Sequence, residues 1–222
     1  MRSDKIQPRV YLLKTGSIQR DQAGNILDAR SSVTLIESER GSIIVDTGQE
    51  GDGEEILKAL AELGLDGSDI DIIVNTHSHP DHCANNRLFS RTLKLSPNDG
   101  EEIAPGVRAL ATPGHSPDSI SIVVDAAIHH AASHPPEGDE AELATQRVVI
   151  AGDALPTLGN FQKRTPPALH YDRLLAVASM DKIIAIADMV IPGHDRPFYV
   201  REGERRVSFP LKKHLATGTD RD

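Results

Sequence analysis

The sequence predicts a layered α/β protein, and three observations carry that reading. Short β-branched and apolar runs recur between Gly-, Asn- and Asp-bearing turns, first at residues 10–15, 32–37 and 42–46. Two longer stretches break that rhythm with helical character, residues 54–63 and 171–187. Several apolar runs also stop at a histidine or an aspartate, which puts reactive side chains at strand ends.

The elements follow in order. After the first three strands, Ile56, Leu57, Leu60 and Leu63 mark one face of a helix that Gly64 stops. A strand over 70–75 leads into a histidine cluster, and a short helix is expected over 81–89. Further strands are expected at 92–96, 107–112, 119–125 and 147–151, then the long helix and a closing strand at 189–191. Residues 126–146 read as an exposed insertion within a single domain spanning 1–222. His129, His130 and His134 lie there, and a solvated loop is the simpler reading because no strand end presents them. Residues 201–222 read as a strand with a frayed end.

Composition excludes several classes of protein. With 38% hydrophobic and 26% charged residues over 222 positions, the chain suits a water-soluble globule large enough to bury a core. No apolar run approaches the roughly 20 residues that span a bilayer, so no membrane partner is expected. The first residues lack the apolar core of a signal peptide, and Cys83 is the single cysteine. Both features suggest a reducing, cytoplasmic setting. A net charge of −9 disfavours broad electrostatic capture of nucleic acid. Only residues 201–213 are locally basic, through Arg201, Arg205, Arg206, Lys212 and Lys213, which leaves a short RNA as an alternative partner to a small molecule. Nothing in the sequence points to an oligomeric state.

The chemistry concentrates at four strand ends. His77, His79, Asp81 and His82 crowd behind the apolar run at 71–75. Three further runs end the same way: 107–115 in His115, 148–153 in Asp153, and 189–194 in His194, each with a glycine just before the polar residue. Imidazole and carboxylate together suit Zn²⁺, with Fe and Mn as alternatives. Seven such residues are too many for one tetrahedral ion and the right number for two that share a carboxylate.

These motifs resemble the metallo-β-lactamase fold superfamily. His77, His79, Asp81 and His82 match its His-x-His-x-Asp-His signature; His115, Asp153 and His194 match its later ligands in order, and residues 45–48 match its first motif. The resemblance implies an αββα sandwich with the site along one edge of the two sheets. It implies one metal on His77, His79 and His115, a second on Asp81, His82 and His194, and Asp153 between them. It also gives Asp46 the task of orienting the histidine loop. Residues 111–116, 150–154 and 187–198 are similar to one branch of that superfamily, whose animal member is described as a nuclease on histone pre-mRNA. The chain is too short for the cap domain of the better-known nuclease branch.

The function expected is hydrolysis of a small ester, thioester or lactone by a metal-bridging hydroxide, with Asp81 both ligating and steering the nucleophile. The alternatives are metal-dependent RNA or phosphodiester cleavage and a mononuclear-iron persulfide dioxygenase. Cys83 is expected to face the core. Asn75 and Thr76 are expected to support the cluster's turn, and His170 and Tyr171 are candidates to line the cleft.

Overall fold

A computed structural model describes residues 7–89, 92–127 and 145–201. Five strands build the first sheet: β1 (Arg9–Lys14), β4 (Val33–Ser38), β5 (Gly41–Val45), β6 (Ile72–Val74) and β7 (Leu93–Leu95), in the order β1-β4-β5-β6-β7. Between β1 and β4 the chain makes a separate hairpin, β2 (Ser17–Arg20) and β3 (Ile26–Arg30). The second sheet holds β8 (Glu102–Ala104), β9 (Val107–Ala111), β10 (Ile120–Ala127), β11 (Thr145–Gly152), β12 (Met189–Pro192) and β13 (Phe198–Tyr199), in the order β13-β12-β11-β10-β9-β8. Parallel pairing of β5 with β6 requires a crossover, supplied by helix α1 (Gly53–Glu62).

Alternation of side chains sorts the strands into layers. Ile43 and Val45 of β5, Ile122 and Val124 of β10, and Val148 and Ile150 of β11 point into one core between the sheets. Their neighbours point outward. Ile44 packs under α1, while Val123 and Val149 pack under α3 (Leu158–Lys163) and α4 (Arg173–Ile186). The result is the αββα sandwich that the motifs imply. Alpha helices α1 and α4 each bury one stripe: Ile56, Ala59, Leu60 and Leu63 in the first, Ala176, Ser179, Met180 and Ile183 in the second. Leu57, expected on the buried face, is 37% exposed, because Ala59 occupies the inward position one turn after Ile56.

Other boundaries differ from expectation for local reasons. The helix expected over 81–89 splits into α2 (Pro80–Cys83) and a 3₁₀ turn, Asn86–Leu88. Between them the Asn85 amide donates to the carbonyls of Thr47 and Gln49, pulling that residue toward β5. The long helix begins at Arg173 because the Asp172 carboxylate caps the N–H groups of Leu174 and Leu175. Hairpin β2–β3 and strand β8 were not expected. Strands β10 and β11 extend into the span read as an insertion, and residues 128–144, with His129, His130 and His134, lie outside the described residues. So does the tail beyond Arg201. Among the described residues no helix is long and apolar enough to cross a membrane.

Ile122 is fully buried between the sheets, on a strand paired at both edges. Replacing it with alanine is expected to cost about 2–5 kcal/mol, lowering the urea midpoint at constant slope. A shift worth under 1 kcal/mol would show that this core collapses around the gap.

Candidate metal centre

The sandwich brings the four strand ends to one edge. The chain leaves β6 at Val74 and enters the histidine loop, whose Thr76 carbonyl accepts from Ile120 N–H of β10 at 2.8 Å. Across the same edge, Ser32 N–H donates to Gly193 O at 2.7 Å and Ser32 Oγ donates to Pro192 O at 2.8 Å. Gly152 sits at φ +50, where a Cβ would stand 2.6 Å from Thr76 Oγ1. Gly193 has a different reason to be glycine: its backbone does not turn left-handed, but a side chain there would strike Asp153 Oδ1.

All seven expected residues meet here. His77, His79 and His115 form one group, Asp81, His82 and His194 another, and His77, His82 and Asp153 a third that overlaps both. In the first group, His77 Nε2 and His115 Nε2 each lie 3.0 Å from His79 Nδ1. Asp153 stands between the groups. Its Oδ2 is 3.4 Å from His115 Nε2, and its Oδ1 is 3.1 Å from His194 Nε2 and 3.3 Å from His82 Nε2. Asp81 Oδ2 lies 3.6 Å from His194 Nε2 and 3.8 Å from His82 Nε2.

These spacings suit a metal. Donors at about 2.0–2.1 Å from a tetrahedral ion are about 3.3 Å from one another, close to what the groups show. Two buried ligand atoms, His82 Nε2 and Asp153 Oδ1, make no hydrogen bond among the described residues, although they lie 3.3 Å apart. The far sides of two rings support the same orientation. His115 Nδ1 donates to Leu169 O at 2.8 Å and His194 Nδ1 to Arg30 O at 2.9 Å. A carbonyl only accepts, so Nδ1 carries a proton and Nε2 is the ring nitrogen aimed inward.

Asp46 does the same for His82. One carboxylate oxygen accepts from Thr76 N–H at 2.7 Å; the other lies 2.8 Å from both Thr76 Oγ1 and His82 Nδ1. Asp46 itself holds φ 59, unusual for a residue with a side chain.

Burial and charge push these groups in opposite directions. Burial is the main cause that drives His77 down to about 2, aided by repulsion from His82, so its ring is neutral and ready to ligate. Burial also opposes a charge on His82, but Asp46 and Asp153 outweigh it and hold that imidazole well above its ordinary value. His194 is raised in the same way: burial lowers it, and Asp153 outweighs burial. Asp153 in turn is held well below the carboxylate range, because His82 and His194 overcome its burial.

A cavity of about 190 Å³ opens over the cluster, reached by His79, Asp81, His115, Asp153 and His194. Its walls come from elements that sequence reasoning missed: Ile18, Arg20, Ile26 and Ala29 of the hairpin, facing Pro167 and Leu169. The Gly24-Asn25 pair between alternating residues was the available signal. His170 and Tyr171 do not line this cavity. Tyr171 is 72% exposed, and His170 Nδ1 turns back to Pro167 O. Cys83 does not face the core either; it is half-buried beside a second cavity with Asn75 and Lys94, its thiol 3.3 Å from His79 O. Asn75 and Thr76 support the turn as expected, the former through Nδ2 to His82 O at 3.2 Å.

Three outcomes are expected. Asp46→Ala frees the His82 ring and should weaken metal affinity on the order of 10–100-fold with the fold retained; competitive chelator titration showing wild-type affinity would reduce Asp46 to a turn former. Gly152→Ala should also weaken metal binding, by crowding Thr76, and full metal occupancy at wild-type affinity would contradict that. The raised His82 and His194 hold protons that an entering metal must displace, so apparent affinity should rise with pH through and above the ordinary imidazole range, with proton release. Calorimetry showing no pH dependence and no proton release would rule this out.

The comparisons with known proteins bear on the same residues. A sequence profile described as "Metallo-beta-lactamase superfamily" matches residues 28–97, which include the histidine loop. The archaeal protein named "Probable metallo-hydrolase" from Methanocaldococcus jannaschii is 34% identical over 168 residues, covering 71% of this chain and 72% of its own length. Metallo-beta-lactamase domain-containing protein 1 of Mus musculus is 31% identical over 191 residues, 78% of this chain and 66% of the mouse protein. An N-acyl homoserine lactonase of Bacillus cereus is 26% identical over 249 aligned positions, 84% of this chain and 93% of the lactonase. Among solved structures, an N-acyl homoserine lactone hydrolase superposes with a TM-score of 0.64 at 21% identity, over 86% of this chain and 94% of that one, which supports the fold. The chain belongs to the metallo-β-lactamase superfamily and is one of its metal-dependent hydrolases.

Proposed function

We propose that the chain is a single-domain, dinuclear metallohydrolase acting on a small ester, thioester or lactone. The observation that carries this reading is Asp153, whose one carboxylate reaches both donor groups: Oδ2 lies 3.4 Å from His115 Nε2 and 3.3 Å from His194 Nε2, and Oδ1 lies 3.3 Å from His82 Nε2. His77, His79 and His115 would hold one ion, Asp81, His82 and His194 the other, with Asp153 shared; the donor set suits Zn²⁺ best. When bound, such a pair lowers the pKa of a shared water to about 7 and polarises the substrate's carbonyl oxygen.

The chain's own residues do the rest. Leu169 O, Arg30 O and Asp46 keep three ring nitrogens aimed inward, so little reorganisation is needed. Asp81 lines the cavity with Asp153, which supports a role in taking a proton or steering the nucleophile. The hairpin and the segment carrying Pro167 and Leu169 supply apolar walls that exclude water around a small acyl group. Sequence similarity to an N-acyl homoserine lactonase supports an acyl substrate. Among the described residues lining the cavity only Arg20 is a Lys or Arg, too little positive charge to track a phosphodiester chain.

Elemental analysis after saturation should find two equivalents of metal per chain. One equivalent of iron with persulfide oxidation would replace the reading. A panel of thioesters, lactones, β-lactams and single-stranded RNA should show metal-dependent turnover of an acyl substrate, and Asp81→Ala should lower kcat on the order of 100-fold or more. Metal-dependent RNA cleavage lost in Asp81→Ala, with no acyl turnover, would overturn the substrate class.

A further inference from the structure

The hairpin over the cavity contains an irregularity that decides which side chains face the metal cluster. Ile18 pairs with Ala29, and the next inward residue of β2, Arg20, pairs with Ile26 rather than with Leu27. The register shifts by one between those pairs. All four paired residues line the cavity, while Leu27 is left 68% exposed outside it. The bulge therefore puts Ile26 rather than Leu27 opposite Arg20, which lines the cavity by alternation from Ile18.

Among the described residues no carboxylate forms an ion pair with the Arg20 guanidinium. Its Nη1 donates to Gly24 O at 2.9 Å, which tethers it across the turn and leaves its other N–H groups available. The adjacent Asp21 carboxylate is turned into the turn, accepting from the N–H groups of Ala23 and Asn25 and from the Asn25 amide. Asp28, on the hairpin's other face, is taken by Arg30 and Gln49. The remaining polar groups lining the cavity belong to the proposed metal ligands. Among the described residues Arg20 is thus the one Lys or Arg lining the cavity, and its only hydrogen bond is to a turn carbonyl.

We propose that Arg20 is a specificity-determining residue that grips a carboxylate on the substrate, so the acyl compound hydrolysed carries a free acid. This rests on the hydrolase reading above. A neutral substrate gains nothing from a cation at an apolar wall, whereas a carboxylate meets a planar fork of N–H donors that pairs with it in two places at once. Tethering to Gly24 reduces the side-chain freedom lost when the pair forms.

The test uses metal-loaded protein with thioesters of four- to six-carbon dicarboxylic acids that keep one free acid, and with their terminal carboxamide counterparts. Wild type should favour the acid through KM, and Arg20→Met should reduce the acid-over-amide ratio on the order of tenfold, the size of one hydrogen-bonded charge pair. Arg20→Lys should keep part of it. A structural role would weaken both substrates alike and leave the ratio where it was, which would overturn the proposal. Calorimetric binding of glutarate and of its neutral diamide, glutaramide, separates the two readings. Arg20-dependent preference for glutarate without any thioester turnover keeps the anion site and removes the hydrolase. Turnover with no Arg20-dependent preference in either assay keeps the hydrolase and removes the anion site.

Discussion

One buried carboxylate holds the centre of this structure together. Asp46 stands at the end of β5, and its two oxygens serve the Thr76 amide, the Thr76 hydroxyl and the His82 ring. A buried polar group is costly unless it is hydrogen-bonded, and here each oxygen has a close partner. The unusual φ of 59 at Asp46 is tolerated because its own N–H also pairs, with Val74 O at 3.0 Å. The strand end, the histidine loop and α2 are therefore locked to one another before any metal arrives.

The second constraint is that neither sheet owns the site. The first sheet delivers His77, His79, Asp81 and His82, and the second delivers His115, Asp153 and His194. Their relative position is set by the core between the sheets and by hydrogen bonds across the edge, such as Ser32 to Gly193 and Ile120 to Thr76. Folding energy from the sandwich thus pre-organises donors that would otherwise repel or lose solvent. The opposite shifts of His77 and His82 express this: the same burial leaves one ring neutral and the other charged, according to which carboxylates it faces.

A third layer of control sits outside the sandwich. Hairpin β2–β3 belongs to neither sheet, yet its last residue supports the centre, since Arg30 O accepts from His194 Nδ1. Arg30 also pairs through its side chain with Asp52, which is buried and holds Lys14 as well. The wall of the cavity and the orientation of one ligand ring are consequently mechanically linked. A change in the hairpin has a direct route to His194.

The sequence by itself determined the layers and the seven candidate ligands. Continuous apolar runs bury both faces between layers, and ligands placed just after such runs emerge at strand ends. It also carried Asp46, through the motif that precedes α1. What only the tertiary structure decided depends on neighbours distant in the chain. Leu57 lost its place on the buried face to Ala59, and the 81–89 helix broke where Asn85 turned to Thr47 and Gln49. Cys83 came to rest beside a cavity instead of the core, and His170 and Tyr171 yielded the wall to Leu169 and the hairpin. Short, exposed strands such as β2 bury too little surface on one regular face for periodicity to announce them. Their bulge, which turns Ile26 rather than Leu27 toward the cavity, is set by strand pairing, which local sequence patterns do not record.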